Sequence, residues 1–173
     1  MRAELQSSKN NDDIMSKNIE KTNVMRILDQ KKVKYVSHCY AETDVISGID
    51  VATVLGQDPK QVFKTLVTVG KSGHYFVFLV PVCSELDLKK AAEAVGEKHV
   101  EMIKSKELLP LTGYIHGGCS PVGMKKFFTT TIDFSAQNFD TIIFSAGKIG
   151  YQVQLSLADL SKVIKYQLKE ITF

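Results

Sequence analysis

The hydrophobic pattern alternates short stretches of strand period with stretches of helix period along most of the chain. After Thr22, a suitable N-cap, Val24, Ile27 and Leu28 fall on one side of a helix running to about Lys31. Val33 to Tyr40 reads as a strand with Val36, His38 and Tyr40 on one face. Ser47 to Leu55 is a short helix that Gly56 ends. Asp58-Pro59 carries a helix-start signal, and the β-branched and aromatic run Val62 to Val69 reads as a buried strand. A turn at Gly70 to Gly73 sends His74 to Val80 back as the second arm of a hairpin, closed by Pro81. Leu88, Ala91, Ala92 and Val95 repeat at i, i+3, i+4, i+7 between Asp87 and Gly96, the cleanest helix of the chain.

Val100 to Ile103 is a short strand, and Ser105 to Leu109 a helical turn before Pro110. Strands follow at Phe127 to Phe134, Thr141 to Ser145 and Tyr151 to Leu155. Ser156 with Asp159 opens a helix bearing Leu157, Leu160, Val163 and Ile164, and residues 165–173 form a last strand or loop. This order lacks the strict alternation of a doubly wound sheet, so it predicts a mixed sheet or partial barrel with peripheral helices. Residues 1–19 are polar and unpatterned and are expected to be a flexible tail, in which Met15 is available as an alternative start. Residues 20–173 are expected to form a single domain.

One position breaks the pattern. Lys64 sits inside the run Val62 to Val69, sharing a face with Val62 and Leu66 while Phe63, Thr65 and Val67 point the other way. Either its stem packs and its ammonium snorkels to water, or it is a functional cation aimed into a pocket.

Composition narrows the class. Hydrophobic residues at 44% and charged residues at 24% are ordinary for a globular protein. No apolar run approaches the ~20 residues that span a bilayer, and no signal-peptide core marks the N-terminus. The three cysteines, Cys39, Cys83 and Cys119, have no CxxC spacing and suit a reducing, cytoplasmic setting. A net charge of +3 neither demands nor forbids a nucleic-acid partner. The four histidines show no metal-ligand spacing, so no metal site and no cofactor are read.

The segment Gly113 to Gly123 holds four glycines and a proline in eleven residues. It matches no phosphate-loop motif; it is either a tight connection or a loop whose bare backbone approaches a ligand. Cys119, with His116 three residues away, is either a small buried cysteine or a thiol nucleophile without a supporting motif. Ser120 lacks the elbow of a serine hydrolase. The lysines of the second half are mostly solvated surface, and a subset could face an RNA backbone.

These residues together resemble the YbaK/EbsC family of free-standing aminoacyl-tRNA deacylases, which are similar to the editing domain inserted in bacterial prolyl-tRNA synthetases. The features that carry the resemblance are Lys21-Thr22, His38 with Tyr40, Pro59 followed by Val62-Phe63-Lys64-Thr65-Leu66, and Pro81-Val82. Leu86-Asp87-Leu88-Lys89-Lys90, Val100-Glu101-Met102, Thr112-Gly113-Tyr114, Gly117-Gly118-Cys119-Ser120-Pro121 and Gly147-Lys148 continue it in order. The resemblance implies an α+β fold, a six-stranded mixed sheet curled toward a barrel with helices outside. It implies a pocket for the 3′ end of a mischarged tRNA(Pro), with Cys-tRNA(Pro) preferred and the substrate's own thiol attacking the ester. Lys64 would be the catalytic cation, Tyr40 the pocket tyrosine and Gly117 the backbone contact, with Gly118, Ser120 and Gln152 completing the substrate site. Prolyl-tRNA synthetase is the expected protein partner. The YbaK branch carries an aspartate where this chain has Gln152, and Gln154 stands where an acidic residue is common. An amide offers hydrogen bonds but no charge for an ammonium. An Ala-tRNA(Pro) deacylase, a non-catalytic tRNA-binding relative and, more distantly, a small-molecule ester or thioester hydrolase therefore stand beside the first reading.

Overall fold

The structure, a computed structural model, describes residues 20–173; the expected tail at 1–19 lies outside them. Helix α1 (Asn23–Gln30) starts at Thr22, whose Oγ1 accepts the Met25 N–H at 3.3 Å. Strand β1 (Val36–Cys39) leads to helix α2 (Gly48–Val54), capped by the Ser47 hydroxyl. Asp58-Pro59 opens a single turn and not a helix. The Asp58 carbonyl accepts the Gln61 N–H at 2.9 Å, and β2 (Phe63–Gly70) follows at once. β2 and β3 (Tyr75–Pro81) form the expected hairpin.

Helix α3 (Leu88–Val95) runs from its Asp87 cap to Gly96, at φ 72°. After β4 (Val100–Met102), helix α4 (Ser105–Thr112) passes through Pro110 and outruns the expected single turn; Thr112 Oγ1 donates to the Leu108 carbonyl at 2.7 Å and closes its last turn. β5 (Thr129–Asp133) ends in a 3-10 turn, followed by β6 (Ile142–Ser145) and β7 (Tyr151–Leu155). Helix α5 (Leu157–Leu160) is one turn long, shorter than expected, although Val163 and Ile164 still pack on the core. Residues 167–169 form β8 (Gln167–Lys169).

The fold is mixed α+β, but the strands do not make one six-stranded sheet. β1, β7 and β6 form an antiparallel three-stranded sheet, and β4-β2-β3-β5-β8 a mixed sheet of five, with β5 parallel to β3 and to β8. The sheets do not close on each other. Outside the strands named here they share one parallel bridge, Val62 with Ile143, where Ile143 N–H donates to the Gln61 carbonyl at 3.1 Å.

β3 is buried on both faces. Val77 and Leu79 join the main core with Val24, Leu28, Phe144 and Val153, whereas Phe76, Phe78 and Val80 pack under α3 with Ala91 and Ala92. A third, small cluster of Ala52, Val62, Val82 and Ile143 seals the junction of the sheets. Ile143 is 3% exposed there. Ile143→Ala should cost about 2–5 kcal/mol, read from the midpoint of denaturant unfolding at constant slope.

Candidate functional site

Beyond the Val62–Ile143 bridge the two sheets part, and a cleft of about 570 Å³ opens between them. β2 pairs with β3 along its length but with β4 only at Thr68, Val69 and Gly70. Its other edge is therefore open from Lys64 to Leu66. The bonds Val82 N–H to Val62 O (2.8 Å) and Gly70 N–H to His74 O (2.8 Å) fix the ladder's phase, so Val62, Lys64 and Leu66 turn their backbone groups to β3. Thr65 turns its N–H and C=O to the open edge. Its Oγ1 is also buried without a hydrogen-bond partner among the described residues, a state that costs about 1–3 kcal/mol. Because the cleft wraps this edge, residues from both faces of β2, namely Phe63, Lys64, Thr65 and Leu66, line it.

Four of the expected site residues meet here: Tyr40, Lys64, Gly117 and Gln152 all line the cleft. Tyr40 is 6% exposed and sits just past β1, held by its N–H to the Gly150 carbonyl at 2.7 Å. Lys64 is half-buried, and its ammonium lies 3.3 Å from Glu85, a carboxylate in open water. The packed stem and the cation at the cleft thus coexist. An exposed pair of this kind contributes at most about 1 kcal/mol, so an anionic ligand can displace Glu85. Gly117 holds φ 85°, and a Cβ there would stand 3.1 Å from Ile46.

Gly118 and Ser120 lie behind the wall. Gly118 donates its N–H to the Ile115 carbonyl at 3.0 Å, and fully buried Ser120 accepts the Val122 N–H through its hydroxyl. Cys119 does line the cleft, but burial pushes its thiol up to about 12, so it stays protonated and poorly nucleophilic at neutral pH. Among the described residues no group of three or more His, Cys, Asp or Glu side chains could hold a metal ion.

The sequence reading missed Thr65, Leu108 and Ser145, and also Ile46, Ser47, Gly48, Ile49 and Val51 before and within α2, all of which line the cleft. It also missed Gln57, whose Nε2 donates to Gln152 Oε1 at 2.8 Å. Ser145 could have been found from the register, since it stands opposite Gln152; the pairing of β6 with β7 was the information lacking.

Among the described residues the cleft lining holds one lysine and one thiol kept protonated by burial, an arrangement able to orient and polarise a ligand. Residues 44–163 match the model of the aminoacyl-tRNA editing domain. A protein of Enterococcus faecalis named as a candidate Cys-tRNA(Pro)/Cys-tRNA(Cys) deacylase, EbsC, is 46% identical over 154 residues, covering 88% of this chain and 94% of the relative. A proline–tRNA ligase of Fervidobacterium nodosum is 30% identical over 99 residues, 57% of this chain but only 17% of the ligase. The crystal structure of a candidate trans-editing enzyme for prolyl-tRNA synthetase superposes with a TM-score of 0.74 at 24% identity, covering 88% of this chain and 98% of that one. The chain belongs to the aminoacyl-tRNA editing domain family, and its enzyme class is that of the aminoacyl-tRNA deacylases. No helix among the described residues is long and apolar enough to cross a membrane.

The thiol's high pKa gives a direct expectation. In the native protein at about pH 8, iodoacetamide should label exposed Cys39 and Cys83 and spare Cys119, which reacts only after unfolding, as peptide mass spectrometry would show.

Proposed function

We propose that the protein clears mischarged tRNA(Pro) in trans, with Cys-tRNA(Pro) as preferred substrate, by substrate-thiol-assisted ester cleavage. The observation that carries this reading is the cleft's charge. Among the described residues Lys64 is the only lysine, arginine or carboxylate in its lining, and the one lining thiol is held neutral. The cleft can therefore polarise an ester, while the attacking atom comes from elsewhere. In the proposed reaction the substrate's cysteine sulfur bonds to the carbonyl carbon as the carbon–oxygen ester bond breaks. The thiol proton passes to the departing ribose oxygen, and water then opens the cyclic thioester. Lys64 stabilises the oxyanion that develops on the carbonyl. Its weakly held partner Glu85 leaves it free to do so.

Tyr40 supports the terminal base or the acyl group by ring contact. Gly117 supplies a backbone N–H that has no partner among the described residues, and its lack of a side chain lets a ligand approach closely. Gly118 and Ser120 shape this loop from behind. In this reading prolyl-tRNA synthetase, in the cytoplasm, would present the substrate.

Purified protein with Cys-tRNA(Pro) and Ala-tRNA(Pro) tests the reading. Lys64→Ala should lower kcat/KM on the cysteinyl ester by about 10²-fold or more. Equal rates for Lys64→Ala and wild type would remove Lys64 from the mechanism. Comparable turnover of the alanyl ester, which has no thiol, would sink thiol assistance. Binding of tRNA without any deacylation would leave a non-catalytic relative. In the same assay Gly117→Ala should raise KM more than it lowers kcat, because an alanine at φ 85° displaces the loop by its contact with Ile46.

A further inference from the structure

The end of the cleft opposite Lys64's sheet holds a pair of neutral amides. Gln152, 5% exposed, stands on β7 between His38 of β1 and Ser145 of β6. Both neighbours are engaged elsewhere: His38 Nε2 lies 2.7 Å from Gln154 Oε1, and Ser145 Oγ accepts the Gly147 N–H at 3.1 Å. Gln57, in the link between α2 and β2, donates from Nε2 to Gln152 Oε1 at 2.8 Å. That bond takes one of the amide oxygen's two acceptor positions and turns it toward Gln57, leaving the Gln152 NH2 without a partner among the described residues as the group offered to the cleft. The other oxygen of the pair, Gln57 Oε1, is buried without a partner.

Among the described residues the titratable groups lining the cleft are Lys64, Tyr40, Cys119 and His116, none of them a carboxylate, and burial keeps the Cys119 thiol protonated. Glu85 lies against Lys64 and is not part of the lining, and His38 beside Gln152 is bonded to Gln154. An ammonium entering here would lose water, face N–H donors and a lysine, and find no carboxylate. An uncharged amine would instead accept a hydrogen bond from the Gln152 NH2 through its lone pair, and a 2-hydroxyl oxygen would do the same.

We infer that Gln57 is a positioning residue that fixes Gln152 as a hydrogen-bond donor, so that the cleft takes acyl esters whose α-substituent is uncharged: the free-base amine or a 2-hydroxyl. This rests on the editing reading above, because it names the form of the substrate which that site accepts. Affinity for an aminoacyl group then follows its neutral fraction. It rises by about tenfold per pH unit below the amine's own pKa, which for α-amino groups is about 7.7–8.0. Affinity for a 2-hydroxyacyl group does not change with the amine's titration, and so the ratio of the two isolates that titration.

The test uses the full chain with two non-hydrolysable probes, 3′-deoxy-3′-(alanylamino)adenosine and its lactyl counterpart, by calorimetry at about pH 6 and about pH 8.5. In wild type the lactyl probe should bind more than about tenfold tighter at the lower pH, and the preference should shrink to within about twofold at the higher one. Gln57→Glu can only accept from Gln152, so the Gln152 oxygen turns to the cleft and the low-pH preference should fall to near unity. Gln57→Leu should give an intermediate ratio, and both variants should change KM for aminoacyl-tRNA while kcat holds. A flat wild-type ratio overturns the charge selection whether or not the variants fold. Variants that fold by thermal melt and keep the wild-type ratio overturn the role of Gln57. If the probes show the expected ratio and no aminoacyl-tRNA is hydrolysed, the editing reading fails and the selection stands. If esters are hydrolysed with a flat ratio, the selection alone fails, and binding of neither probe overturns both.

Discussion

The site exists because β2, which lies between β3 and β4, is paired on the β3 edge alone from Lys64 to Leu66. The Val62–Ile143 bridge brings the two sheets together, and β4 reaches only as far as Thr68. Between these points the backbone of Thr65 has no strand partner among the described residues, and a lysine can stand in a strand that is otherwise core. A closed sheet would have satisfied this edge and buried Lys64 without a counter-charge, at a cost of several kcal/mol. The sealing cluster of Ala52, Val62, Val82 and Ile143 keeps the opening confined to one side of the bridge.

The electrostatic arrangement follows from that geometry. Lys64 meets only a solvent-exposed carboxylate, so its charge remains available, whereas Cys119 a short way across the cleft is too well buried to ionise. The protein's own nucleophile is thereby silenced and its cation left free. Such a site suits a reaction in which the substrate carries its own attacking group or recruits water.

Local signals in the sequence were sufficient for much of this. Thr22, Ser47, Asp87 and Ser156 cap the helices expected of them, and Gly56 and Gly96 adopt the positive φ that ends α2 and α3. Lys64 stood out because its chemistry conflicts with its neighbours, a contrast visible within eight residues. What was not legible depends on which strands meet. The division into two sheets, the joining of Gln57 to Gln152 across 95 positions, and the open edge at Thr65 all arise from pairings that no local pattern encodes. Asp58-Pro59 shows the same limit at short range: a helix-start signal yields to a strand whose bridge to Ile143 begins at Val62. The resemblance to a known family supplied Tyr40, Gly117 and Gln152, and the structure brings all three to Lys64's cleft while leaving Gly118 and Ser120 outside its lining.

The groups proposed to polarise and to select stand on different sheets, Lys64 on the larger and Gln152 on the smaller, with the Val62–Ile143 bridge between them. The two sheets therefore resemble the arms of a caliper hinged at Val62 and Ile143. Their relative tilt, held by the shared core of Val77, Leu79, Phe144 and Val153, sets the gap between cation and amide. Packing changes in the hinge cluster, remote from any reacting atom, can reset the size of acyl group the gap admits.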